Sequence, residues 1–169
     1  MKERKVRKSL LDSLEKLKQE DSDLLRYNVN KRSITHQLAV YLREEIDDGW
    51  DVDVEYNRVG DNEASKVVSM KCLESKIPDN KDPKDLDAKT VYPDVVVHSR
   101  GEPNKNLLVI EAKKSGRSGE YDREKLTAYK QELKYEYGVF VTFKGCRSNE
   151  DPGYCCDWYP FEDESNSIE

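Results

Sequence analysis

From Leu107 to Phe143 the chain reads as strand, helix, strand, and no other feature constrains the fold as much. Leu107-Leu108-Val109-Ile110 is an unbroken apolar run, as in a strand covered on both faces. Leu126, Tyr129 and Leu133 then recur at helical spacing, in a helix expected from Tyr121 or Asp122 to about Tyr135 and closed by Gly138. Val139-Phe140-Val141-Thr142-Phe143 is a second buried strand. Two strands joined through a helix run parallel, with a right-handed crossover.

The remaining elements follow from periodicity. Leu10, Leu14 and Leu17, widened by Leu11, mark an amphipathic helix over 6–20. A second helix is expected from an N-cap at Ser33 to about Asp47, burying Ile34, Leu38, Tyr41, Leu42 and Ile46 and closed by Gly49. Trp50 to Asn57 alternates strictly, with Trp50, Val52, Val54 and Tyr56 inward and Asp51, Asp53, Glu55 and Asn57 outward. Residues 59–90 read as a long loop with one strand near Val67–Leu73, and Val91–His98 as a strand antiparallel to Leu107–Lys113. The expected order is ααβββαβ around a mixed sheet, in one domain over 1–149 with residues 1–32 as a helical extension. Residues 150–169 read as an acidic tail in which Trp158, Tyr159 and Phe161 could dock on the body.

No apolar run is long enough to span a membrane, and no apolar stretch follows the basic N-terminus, so a cytoplasmic protein is expected. The net charge of −6 is misleading about partners. Residues 150–169 carry seven acidic side chains and no Lys or Arg, so residues 1–149 have a balance of +1. A basic surface for nucleic acid is therefore open, and the tail could instead meet a basic protein. Cys72, Cys146, Cys155 and Cys156 form no CxxC pair and read as free thiols.

Charge interrupts the strands at two places: Asp94 follows Pro93 at the start of one, and Glu111 and Lys113 end the next. Strand periodicity puts Glu111 and Lys113 on one face, where a carboxylate and an ammonium on a core-like strand are costly without a use. Pro93-Asp94 and Glu111-Ala112-Lys113, on the second and third of three strands, resemble the motif of the PD-(D/E)XK nuclease superfamily. The resemblance covers about residues 33–143 and implies a restriction-endonuclease-like fold, a three-layer α/β/α sandwich around the mixed sheet.

The resemblance also implies site roles. Asp94, Glu111 and the Ala112 carbonyl would ligate Mg²⁺, with Mn²⁺ as a substitute, and Lys113 would orient the attacking water. Glu55, on the first strand, would be a further metal ligand. Lys114, Arg117, Arg123 and Lys125 follow the motif and would grip phosphates. His36 and Gln37 on the second helix, and Tyr129 on the last, would flank the site. Each residue has a plainer alternative: a turn carboxylate for Asp94, an edge-strand charge pair for Glu111 and Lys113, a satisfied structural histidine for His36, a solvated face for the rest. The expected function is hydrolysis of phosphodiester bonds, with DNA the expected substrate and a homodimer the means of cutting both strands. The alternative is a catalytically inactive nuclease-like module that binds nucleic acid or protein.

Overall fold

A computed structural model of the chain describes residues 1–27, 29–57, 67–68, 89–90, 92–116, 119–145 and 151–159. The elements are α1 (Glu3–Glu20), α2 (Ser22–Arg26), α3 (Lys31–Glu45), β1 (Asp51–Val54), β2 (Val67–Val68), β3 (Lys89–Thr90), β4 (Val95–His98), β5 (Asn106–Lys114), α4 (Glu120–Leu133), β6 (Tyr137–Lys144) and β7 (Gly153–Tyr159). Five strands form one mixed sheet in the order β1-β4-β5-β6-β7, and β2 pairs with β3 in a separate ribbon. As expected, β4 and β5 are antiparallel and β5 and β6 parallel. The chain is thus an α/β protein. No helix among the described residues is long and apolar enough to cross a membrane.

The sheet is covered on both faces. One cluster joins α1 and α3 to Val52, Val95, Val97, Ile110, Val139 and Val141. The other sets Leu126, Ala128 and Tyr129 of α4, with Tyr135, against Val96, Val109 and Phe140. This is the alternation that strand geometry imposes. Leu10 and Leu14 of α1 are fully buried, and Leu17 nearly so. Each such leucine contributes about 1.5–3 kcal/mol, so α1 is part of the core layer and not an appended extension.

Several boundaries differ from expectation for identifiable reasons. Leu11 is 42% exposed; Ser9 and Ser13 occupy the contact stripe instead, Ser9 Oγ donating to the Glu45 carbonyl at 2.9 Å. Asn30, not Ser33, caps α3 by accepting from the Arg32 amide at 2.9 Å. The helix ends at Glu45, with Ile46 as its C-cap, before Gly49. β1 is only four residues long because Glu55 takes a left-handed φ of +51°, which breaks the alternation. Tyr56 consequently joins the α4-side cluster, its ring 4.4 Å from that of His98. α4 is closed by Lys134 at φ +56°, and Gly138 lies within β6.

The largest correction concerns the C-terminus. Residues 153–159 are not tail but β7, which pairs antiparallel with β6 over its whole length. Tyr154, Cys156 and Trp158 pack on the α1/α3 side and Tyr159 on the α4 side, and Cys155 and Cys156 are free thiols. Residues 160–169, most of 58–91, Arg117, Cys72 and Cys146 lie outside the described residues.

Candidate active site

Asp94 and Glu111 lie side by side where β4 begins, and Lys113 follows two residues further along β5. The pair Val95↔Ile110 sets the register, so Asp94 sits just beyond the paired end of β4, beside Glu111 and Ala112 of β5. Asp94 Oδ2 accepts the Ala112 amide at 2.8 Å, and the Asp94 carbonyl accepts the Glu55 amide at 3.3 Å. Lys31 Nζ from the first turn of α3 reaches both Asp94 oxygens, at 2.6 and 2.7 Å.

Glu111 is 1% exposed and points to α4. Lys125 Nζ donates to Oε2 and Tyr129 Oη to Oε1, both at 2.8 Å. Burial pushes the Glu111 carboxyl up to about 7, and the neighbouring Asp94 charge pushes the same way while Lys125 and Tyr129 oppose it. Lys113, on the same face as expected, donates to Asp122 Oδ2 at 2.6 Å. Asp122 also lies 3.2 Å from Lys125. Burial works to raise the Asp122 carboxyl, but the Lys113 hydrogen bond and the Lys125 charge outweigh it and hold it below its ordinary value. Burial likewise opposes the Lys125 charge, yet attraction to Glu111 and Asp122 leaves that ammonium raised. Burial and then the Glu111 charge raise Tyr129 far above the usual phenol range.

The result is a linked group of three carboxylates and three ammoniums, Asp94–Lys31, Glu111–Lys125 and Asp122–Lys113, with Lys125 bridging two of them. Among the described residues, no group of three or more His, Cys, Asp or Glu side chains is arranged to hold a metal ion. Magnesium does not require one, since it binds through one or two carboxylates and retains its waters. Asp94 and Glu111 supply that number of hard oxygen ligands. A strand residue turns its N–H and C=O to the same edge, so the Ala112 carbonyl is directed to the side on which its amide meets Asp94. The donor chemistry of Asp94, Glu111 and the Ala112 carbonyl is of the kind magnesium takes.

The other candidate residues divide. Tyr129 and Lys125 belong to the group, the latter bound to carboxylates. Glu55 stands apart: its side chain is 41% exposed and accepts from Arg32 Nε at 2.7 Å. The left-handed turn at Glu55 is what swings it from the expected position. Lys114 Nζ donates to the Val29 carbonyl at 2.9 Å and ties β5 to the loop before α3. Arg123 pairs with Asp157 at 2.6 Å and stacks 4.3 Å over Phe140, joining α4 to β7. His36 and Gln37 line a cleft of about 560 Å³, with Arg32, Ser33, Val54 and Glu55 among its other walls.

Lys31 and Asp122 were not among the expected site residues. Lys31 leaves a local signal, because a cation in the first turn of a helix opposes the helix dipole unless an anion holds it there. Asp122 reads locally as an ordinary first-turn acid, although Asp122, Lys125 and Tyr129 share one helical face.

A second polar cluster lies about 13 Å along β4, at its other end. Buried His98 Nε2 is 2.9 Å from Asp53 Oδ2, and Arg100 Nε donates to the same oxygen at 2.8 Å. Burial acts to raise Asp53, but these two partners hold it far below the usual carboxylate range.

Comparison with family models, with curated proteins and with solved structures finds no match to this chain.

Proposed function

We propose that this protein is a Mg²⁺-dependent nuclease of restriction-endonuclease-like fold that hydrolyses phosphodiester bonds in DNA. The observation that carries the reading is the Asp94 carboxylate held on the Ala112 amide with buried Glu111 beside it. Two acids from different strands lie close enough for the charge of Asp94 to act on Glu111. The order α3, β1, β4, β5, α4, β6 also agrees with the layout the motif requires.

A bound magnesium ion would polarise the phosphate and acidify a water. The chain's own residues divide the remaining work. Asp94 and Glu111 would hold the ion, with the Ala112 carbonyl as a further oxygen ligand. Glu111, with its raised affinity for protons, binds the cation best once deprotonated. Lys113 places an ammonium near the reacting phosphate, where it stabilises developing negative charge. Asp122 fixes the Lys113 amine in position through the 2.6 Å contact.

The decisive experiment is degradation of plasmid and oligonucleotide DNA in Mg²⁺ or Mn²⁺. Cleavage should vanish with EDTA and with Lys113→Ala. Equal trace activity in wild type and Lys113→Ala would trace to contamination and overturn the assignment. One observation favours a second reading, a non-catalytic binding module: each carboxylate of the group already has a lysine partner. Under that reading Mg²⁺ leaves the melting temperature of the protein unchanged.

A further inference from the structure

We propose that the strand received here is unpaired, with bases stacked on Tyr92 and Tyr121 and one nucleotide seated in the cleft along α3. The inference rests on the nuclease reading and specifies its substrate as single-stranded nucleic acid.

Three features support it. Tyr27, Tyr92 and Tyr121 are the exposed tyrosines among the described residues, and the last two, 56% and 40% exposed, each stand within two residues of an acid of the site. Tyr92 lies two residues before Asp94, with buried Pro93 between them restricting the backbone. Tyr121 precedes Asp122, and one ammonium links its ring to the centre: Lys125 Nζ is 5.8 Å from the ring centroid and 2.8 Å from Glu111. A tyrosine offers a flat stacking surface at low entropic cost. Base-on-ring stacking is available only where base faces are free, which excludes the interior of a duplex.

The second feature is the cleft. Its volume of about 560 Å³ lies within the range of small-ligand sites, about 300–1,000 Å³. Arg32 and His36 offer donors to a phosphate, Ser33 and Gln37 offer polar contacts, and Leu24 and Val54 give an apolar wall; the two carboxylates of the lining are already engaged, Asp21 by the Tyr41 hydroxyl and Glu55 by Arg32. It adjoins the acids directly, since Arg32 follows Lys31 and Glu55 bonds the Asp94 carbonyl. The third feature is depth. Asp94 is 7% and Glu111 1% exposed, so the scissile phosphate must descend to them. A flexible single strand bends into such a recess at lower cost than a stiff duplex.

The test is fluorescence anisotropy with the full chain in EDTA, using a labelled single-stranded oligodeoxynucleotide, its RNA counterpart and a DNA duplex of the same length. The single strand should bind about tenfold more tightly than the duplex. Tyr92→Leu and Tyr121→Leu should each weaken single-strand binding about tenfold, while Tyr92→Phe and Tyr121→Phe stay within about twofold. The DNA and RNA arms identify the sugar. Equal or tighter duplex binding, Leu variants as tight as Phe variants, or no binding to any probe overturns the inference. Failure of the nuclease reading is distinct: single strands are then bound with this stacking dependence but survive in Mg²⁺.

Discussion

The Ala112 amide donates to Oδ2 of Asp94 at 2.8 Å, across the point where β4 stops pairing with β5. A backbone donor at the end of the β4–β5 ladder is thereby turned from strand pairing to holding an acid. The same carboxylate is gripped by Lys31 from α3, so helix, loop and sheet are tied through one side chain.

Lys31 competes with any cation for the Asp94 oxygens. Lys31→Met should therefore lower the Mg²⁺ concentration at half saturation by about fivefold, the equivalent of about 1 kcal/mol for a partly exposed ion pair. Isothermal titration calorimetry measures it. Unchanged or weaker Mg²⁺ binding in the variant would show that Lys31 does not guard this position.

Glu111 makes stability depend on pH. Its folded value of about 7 lies above the ordinary 4.5, so the native state binds a proton that the unfolded chain has released. The stabilisation this proton confers is complete below about 4.5 and is lost as pH rises through about 7. Urea denaturation of wild type should show that decline, and Glu111→Gln should lack it. Lys125→Met removes the buried counter-charge and should cost about 3–5 kcal/mol at pH 8, with a smaller loss at pH 5.

Asp53 behaves in the opposite sense. Its depressed value means that its contribution is present above the ordinary 3.8 and is lost as pH falls below that. Asp53→Asn should cost about 2 kcal/mol at pH 7, by weakening the contacts with His98 and Arg100. The gap to wild type should narrow in acid. A gap that stays constant from pH 7 to pH 3 would mean that the Asp53 charge contributes nothing.

Gly119 fits where no side chain can. A Cβ there would collide with Phe140 Cζ, in the packing under Arg123. Gly119→Ala should destabilise by about 1–3 kcal/mol, as over-packing does. Because Gly119 precedes α4, it should also displace Asp122 and weaken its hold on Lys113. A thermal melt gives the first effect, and Lys113 amine chemical shifts give the second.

What could be read in the amino-acid order was what repeats at short range. The runs Leu107–Ile110 and Val139–Phe143, and the leucines of α1, announce their elements because burial on a regular backbone has a fixed period. The shared face of Glu111 and Lys113 follows from the same rule. β7 left no such trace, because Gly153–Tyr159 mixes cysteines, tyrosines and an acid and is only half covered. The turn at Glu55 was hidden because a single left-handed residue does not alter the hydropathy pattern around it. Lys31 and Asp94 are 63 positions apart, and their pairing is a product of tertiary packing alone.

The position of β7 has a practical corollary for anyone shortening the protein. Its hydrogen bonds to Gly138–Lys144 cap a ribbon that includes Val139, Phe140 and Val141. Ending the polypeptide at residue 150 would bare that ribbon's donors and acceptors and invite copies to stitch together edge to edge. A well-behaved minimal version has to extend past Tyr159.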